Sequence, residues 1–428
     1  MCRSIKIAVL LFLAVVGEVA AQNNTISPYS KYGIGLYEQP GYGRNTAMGG
    51  TGIGLRSANN VNNINPASYA SIDSTMVLMD IGLNLNYEYI DNHLRGGDKL
   101  NGNISYFSLT FAPNQNLGIS FGISPHTSVG YTVESTEYVS GGGQERYRSY
   151  VDGIGGLTRV YVGFGVNLLK NTSVGMNATM LFGPKTERQT IALSASDQFS
   201  TYFEVSDYYV GGKLDLGFQQ NFRLGKNKNL TVGLIASTPG ILQRERTNLA
   251  TVTFYSGTID TLYFDDDDYD RVTTLPATAG VGLSYNSGRF TLAGDFNYNP
   301  ISKLDLGMTR KRTKMDNNVG EYRSKLVDNK SFSVGAEYIP KRLGYDYDLV
   351  FRAGAGYESG TTKIDHYVLK SYQASFGVGF RIRAIRFNTY CMYKRSGTLD
   401  NLLVLDHVLR FGLNLTYIDY WFQKRRFY

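Results

Sequence analysis

Apolar side chains take every second position through most of the 428 residues. From Met76 to Ile90, Val77, Met79, Ile81, Leu83, Leu85, Tyr87 and Tyr89 fall on one face. Asp80, Gly82, Asn84, Asn86 and Glu88 fall on the other. A period of two belongs to a β-strand with one apolar and one polar side. A soluble sandwich and a membrane barrel are both built from such strands. The two are separated by the connections and by what the polar face carries.

The chain opens with a short basic stretch, Met1 to Lys6, then an apolar run, Ile7 to Val16, closed by Val19-Ala20-Ala21. This reads as a secretory signal peptide over residues 1–21, the run being too short to span a bilayer. Cys2 precedes the apolar run, so it is not a lipid-acceptor cysteine. After cleavage only Cys391 remains, and no intrachain disulfide is expected to staple the fold. No later stretch has ~18 consecutive apolar residues, which excludes a transmembrane helix. Barrel strands are only half apolar, so a low mean hydropathy fits a barrel equally well. The formal charge is +7 with acids and bases interleaved. That pattern gives no ground for nucleic-acid binding and leaves anionic surface lipid or a lumen as the place for positive side chains.

Residues 22–75 are rich in Gly, Asn and Ser and lack long alternation. From 76 to 428, about fourteen strand candidates follow, near the usual length of roughly 10 residues for a membrane barrel. They lie near 76–90, 103–112, 116–135, 157–168, 172–183, 206–223, 229–238, 272–286, 289–299, 329–339, 348–358, 367–382, 384–395 and 404–417. Their connections tend to alternate short and long. Pro113-Asn114-Gln115, Leu169-Lys170-Asn171 and Ser287-Gly288 are short; 136–156, 184–205, 239–271 and 300–328 read as long polar loops. Outer-membrane barrels have short periplasmic turns and long outer loops. The polar faces carry Gly, Asn, Arg, Asp and Glu, as in Asp295 and Asn297 between Phe296 and Tyr298, which suits a wet interior. Tyr285, Tyr298, Tyr338, Tyr357 and Tyr417 sit near strand ends, where an aromatic girdle belongs. The expected fold is an all-β transmembrane antiparallel barrel of about fourteen strands in the outer membrane, with both termini on the periplasmic or lumenal side.

A barrel of that width has a lumen that side chains alone do not fill. Residues 22–75 can fold inside it as an N-terminal plug, since irregular backbone is tolerated where protein or water surrounds it. A disordered periplasmic tail is the competing reading. Within the segment, Pro66 fixes a turn and Asn65 can bond to nearby backbone, in the triplet Asn65-Pro66-Ala67. In the third strand, Ser124-Pro125-His126 interrupts the alternation. Pro125 cannot donate to a ladder and implies a bulge or break. Gly118-Ile119-Ser120-Phe121-Gly122 spells a nucleophile-elbow pattern but lies inside an alternating strand, not at a strand–helix turn. His93, His126, His366 and His407 show no metal-ligand spacing. Asp265–Asp268 with Asp270 matches no EF-hand and reads as a solvated charged loop, with calcium bridging as its alternative. No catalytic residue, metal or cofactor is expected.

The stretch from Gly41 to Asp73, with Asn65-Pro66-Ala67 just before the first long strand, resembles the N-terminal plug of the FadL family of hydrophobic-compound transporters. Leu275-Pro276-Ala277-Thr278 and Ser333 to Pro340 look like later strands of that family. The opening Ser27 to Gly35 is similar to the version found in Bacteroidetes-type bacteria. The resemblance implies a fourteen-strand barrel, a plug motif at Asn65, Pro66 and Ala67, and a third strand kinked inward at Ser124, Pro125 and His126. It further implies uptake of hydrophobic small molecules, fatty-acid-like or aromatic, by lateral diffusion through the wall at that kink; an ordinary bulge without an opening is the alternative there. Expected partners are outer-membrane lipid, lipopolysaccharide and a hydrophobic ligand. The family also includes a barrel that holds protein partners in a secretion system. The second expectation is therefore a non-transporting, partner-binding subunit of a secretion or barrel-assembly complex, contacting other outer-membrane proteins.

Overall fold

The computed structural model describes residues 25–92, 96–138, 146–193, 199–254, 256–304, 324–340 and 349–421. The expected signal peptide, residues 1–21, and most of 300–328 lie outside them. Leu36–Tyr37 (β1) stands apart from the wall. The wall begins with Met76–Asp91 (β2) and Gly96–Phe111 (β3). Its third position is shared by Leu117–Pro125 (β4) and Thr127–Tyr138 (β5), its fourth by Arg146–Gly155 (β6) and Thr158–Leu169 (β7). Thr172–Leu193 (β8) and Phe199–Gly225 (β9) follow. Lys228–Ser237 (β10) with Gly240–Phe254 (β11), then Ile259–Leu275 (β12) with Thr278–Asn286 (β13), make the seventh and eighth positions. Phe290–Asn299 (β14) comes next, and Ser324–Leu326 (β15) lies off the wall before Asn329–Tyr338 (β16) and Val350–Glu358 (β17). Thr362–Ile364 (β18) pairs with β15 and with Tyr367–Val368 (β19), making a separate three-stranded sheet. Ser371–Ile382 (β20), Ile385–Gly397 (β21) and Leu405–Tyr420 (β22) complete it. β22 returns to β2 in unbroken register from Met76↔Tyr420 to Asp91↔Leu405, closing an antiparallel barrel of 14 strands.

The two-piece strands break where the chain cannot continue a ladder. Thr238-Pro239 separates β10 from β11, and Pro276-Ala277 separates β12 from β13; a proline has no N–H to give. The expected strands all appear, but three of the expected outer loops differ: 136–156 holds the end of β5 and all of β6 among its described residues. Segments 184–205 and 239–271 are largely strand: β9 runs 27 residues and β8 runs 22. β8, β9, β11 and β12 rise past their neighbours as a sheet. The alternation fades there because no lipid faces the upper part, while the backbone groups still find partners across the ladder.

Sidedness is inverted relative to a soluble core. Phe332 and Val334 are 53% and 59% exposed, and Leu83, Phe164, Leu216 and Leu283 also face out. Asp80, Glu88, Asn177, Gln219, Asp295, Glu337 and Arg352 are buried. Apolar outside and polar inside is the arrangement of a barrel in a bilayer. Residues 25–75 occupy the interior, bonding to side chains of β2, β9, β14, β16, β20 and β21 around the whole ring.

Candidate functional site: the parted wall and the segment behind it

The ladder between β3 and β4 holds only from Phe111↔Ile119 to Phe107↔Ile123. Extended, that register would put Thr127 opposite position 103. Thr127 instead pairs with Tyr37 and Ser128 with Leu36, so β1 stands at the edge of β5 where β3 would have stood. β3 meanwhile follows β2 all the way to Gly96↔Asp91. Among the described residues the wall therefore parts above Ile123, between the upper half of β3 and β5.

Ser124, Pro125 and His126 sit at the point of divergence. Pro125 is the last residue of β4, aligned with Thr158. Ser124 Oγ accepts from Arg159 Nη2 at 3.1 Å. The His126 N–H donates to Leu157 O at 2.7 Å, and its carbonyl accepts from the Glu38 N–H at 3.0 Å. Its ring meets Tyr37 edge-on at 5.4 Å. The fourth position bends in step: Gly155 and Gly156 adopt φ of 121° and 134°, open to glycine without penalty. The Thr127 hydroxyl accepts from the Leu157 N–H at 3.0 Å and donates to Ile34 O at 2.8 Å, tying both bent strands to the N-terminal segment.

That segment bridges the parting. Thr25 Oγ1 donates to Glu88 at 2.7 Å and the Ile26 N–H at 3.1 Å, both on β2. The Ser27 hydroxyl donates to Asp406 and Tyr29 OH to Val404 O at 2.6 Å, on and beside β22. Ser30 Oγ accepts from the Gly130 N–H of β5 at 3.1 Å. Glu38 accepts from Ser128 Oγ at 2.9 Å and from Arg410 Nη2 at 3.2 Å. Behind the parting, Pro40, Tyr42, Ser105, Tyr106 and Pro125 line a small space of about 30 Å³. A cavity of about 280 Å³ lies between the segment and the wall and reaches the parting at Tyr37, Pro125 and His126. Its lining mixes Ile235, Leu275 and Phe332 with Arg159, Lys213 and Asp215.

Asn65, Pro66 and Ala67 lie against β8 and β9. Asn65 caps a short 3-10 helix, Pro66–Ser71, its Oδ1 accepting from the Ala67 N–H at 3.1 Å. Its Nδ2 donates to Ile53 O at 2.8 Å and Phe218 O at 3.1 Å. Gly175 and Gly217 on the wall let the triplet this close: a Cβ on either would overlap Pro66 or Asn65. The triplet does not meet the Ser124–His126 break: it lies two to three wall positions further on, although the helix it opens also packs against Gly118 of β4.

Sequence reasoning missed the strongest anchor. Gly43–Ala47 (α1) carries Arg44, whose Nε and Nη2 donate to Glu337 at 2.9 and 2.8 Å. Arg352 Nε donates to the same carboxylate at 2.7 Å and its Nη1 to Asn388 at 2.8 Å. Asp295 accepts from the Gly52 and Ile53 N–H groups at 2.6 and 2.9 Å. The only signal was a charge on the inward face of a strand, at 295, 337 and 352. Ser120 is buried within β4, its hydroxyl within 2.8 Å of Thr110 Oγ1 and 3.1 Å of Tyr161 OH, with no helix following.

The fold has solved counterparts. The Pseudomonas putida toluene transporter TodX matches with TM-score 0.55 at 16% identity, over 90% of this chain and 100% of that one. The Ralstonia pickettii toluene transporter TbuX matches at 0.54 and 15%, over 89% and 99%. A Pseudomonas aeruginosa FadL homologue matches at 0.54 and 13%, over 89% and 99%. At these identities the likeness defines a class, the FadL-like barrel fold. The BamG family model matches residues 1–428, and the chain belongs to that family. No curated protein matches it in sequence.

Proposed function

We propose that this protein is an outer-membrane barrel, plugged by residues 22–75, that admits hydrophobic or amphipathic small molecules sideways through the wall between β3 and β5. The observation that carries the reading is the ladder ending at Phe107↔Ile123 while β5 turns to β1. A molecule leaving by that route enters lipid without crossing water, which is the favourable path for apolar surface. Ser124, Pro125 and His126 form the hinge of the opening, and Asn65, Pro66 and Ala67 hold the plug to β8 and β9, two to three wall positions further on. The 280 Å³ cavity is larger than the ~150 Å³ sites known to take benzene, and its mixed lining suits a ligand with one polar end. The solved neighbours named for toluene share this fold, which is consistent with such a role.

The test is uptake of labelled toluene and oleate by cells carrying the wild-type chain or a variant with Ser124→Val, Pro125→Thr and His126→Val, which restores alternation and a donor. Hydrogen exchange confirms whether β3 and β5 have zipped. Closure with at least a tenfold fall in initial uptake supports the reading; closure with unchanged uptake of both compounds sinks it.

A second reading rests on family membership. BamG is a name of the kind given to subunits of the barrel-assembly machinery, and here the barrel would hold protein partners without transporting. Purification in mild detergent discriminates: a stoichiometric outer-membrane partner favours the subunit, a lone monomer the channel.

A further inference from the structure

Positive charge gathers at one rim of the barrel, the end where the turns are short. Lys170 stands in the β7–β8 turn, Lys226 and Lys228 at the β9–β10 turn, Arg289 before β14 and Arg383 in the β20–β21 turn. All are exposed, and none forms an ion pair with a described residue. The β3–β4 turn, Ala112 to Asn116, carries no charge. The described acids at this end are Asp73 and Asp419, both beside the β2–β22 seam. A basic arc therefore runs from β7 round to β21, and the acids lie on the remaining side. Neighbouring turns of the arc touch: a Cβ on Gly288 would stand 3.7 Å from Asn227 Cβ, so Lys226 and Arg289 share one surface.

The arginines lie on the lumen side of the wall. Phe222, Leu224, Phe290, Ile382 and Ile385 are exposed on the outer, lipid-facing side. Arg223, Arg289, Arg381 and Arg386 are their immediate neighbours in sequence, and the pleat turns each to the opposite face. Arg381 and Arg386 are also direct cross-strand partners. Like charges set opposite each other destabilise a ladder, so this pair calls for an anion between them. Arg386 Nη1 donates to Asn59 O at 2.6 Å, which places the arc at the edge of the floor that the plug makes. Phospholipid headgroups lie outside the cylinder, beyond the apolar face. The arginines border its mouth, where the anion that meets them comes from water.

We propose that the short-turn rim, from the β7–β8 turn round to the β20–β21 turn, is a docking surface for a periplasmic protein that lays an acidic face across the mouth of the barrel. Arg289 and Arg381 carry planar forks that match carboxylates two oxygens at a time, and the turn lysines add attraction at longer range. Short turns face the periplasm in outer-membrane barrels. The inference rests on the outer-membrane setting proposed above and is independent of whether the lumen conducts.

The first test measures binding of a fluorescent Glu-rich peptide, and of its Gln-for-Glu counterpart, to the full chain in nanodiscs of neutral phosphatidylcholine. One Glu-rich peptide should bind per barrel and the counterpart should not. Affinity should fall at least tenfold after Arg289→Gln, Arg381→Gln and Arg383→Gln together. It should stay unchanged after Lys303→Gln with Lys325→Gln at the long-loop end. Heat-modifiable gel migration confirms that the variants keep the barrel. The second test places photoreactive p-benzoylphenylalanine at Asn227 in cells, with Gln115 in the uncharged turn as control. A periplasmic protein should cross-link at 227 and not at 115, and once purified it should show the same tenfold dependence on the three arginines. Peptide binding indifferent to the triple variant overturns the proposal, as do adducts to phospholipid alone. Loss of peptide binding when phosphatidylglycerol enters the discs assigns the arc to lipid and overturns it too. Labelling of Asn227→Cys in intact cells by a membrane-impermeant maleimide, with Cys391→Ser, would put this rim outside; that result overturns the sidedness even where the peptide binds.

Discussion

At the scale of single residues, Glu337 carries the most. Two guanidiniums converge on one buried carboxylate, so removing it strands both charges where water cannot reach. Breaking one buried pair typically costs about 3–5 kcal/mol. Glu337→Ala should therefore release α1 from the wall, and planar-bilayer recordings should show conductance that the wild type lacks. Wild-type conductance in the variant would show that Arg44 does not hold the segment in place. Asn65→Ala is a milder case. It leaves the Ile53 and Phe218 carbonyls and the Ala67 N–H without that side chain, a loss on the order of 1–3 kcal/mol. Limited proteolysis should cut residues 25–75 faster while the barrel stays intact. Asn65 and Pro125 were legible in the chain because their chemistry is local: an amide that caps its own backbone, and a ring with no N–H. Glu337, Arg44 and Arg352 were not. Their meaning comes from meeting across the lumen, and no spacing in the sequence encodes that.

Among elements, β1 is the smallest and the most consequential. Two residues replace the partner that β5 loses when it leaves β3. Leu36→Pro with Tyr37→Pro removes both backbone donors from that ladder. Amide exchange at Thr127–Tyr131 should then accelerate at least tenfold, with β2 and β22 unchanged; unaltered protection would mean that β5 holds its bend without help. No alternation could reveal so short a strand. The upper halves of β8, β9, β11 and β12 were hidden for a different reason. Period two is imposed by two unlike media, and above the bilayer both faces meet water.

For the molecule as a whole, the exchange of inside for outside fixes where lipid must lie. Val334→Arg, in the outward apolar band, should lower unfolding stability by about 2–4 kcal/mol in bilayers. Phe264→Arg, on the projecting hairpin, should leave it within about 0.5 kcal/mol, as surface changes do. Denaturant titration in lipid vesicles measures both, and an equal cost at the two sites would mean the hairpin is immersed. The barrel and its strand order were readable because every membrane strand repeats one signal, and the closing pair β2–β22 shows it over sixteen residues.

The stand-in role of β1 has a bearing on biogenesis. The third wall position is finished by backbone of Leu36–Tyr37, from the segment inside the barrel, so cylinder and stopper are not separable parts. The leading end of the polypeptide must already be threaded inside before the last seam, β22 against β2, is drawn shut. A stopper supplied afterwards would find its own edge of the wall missing.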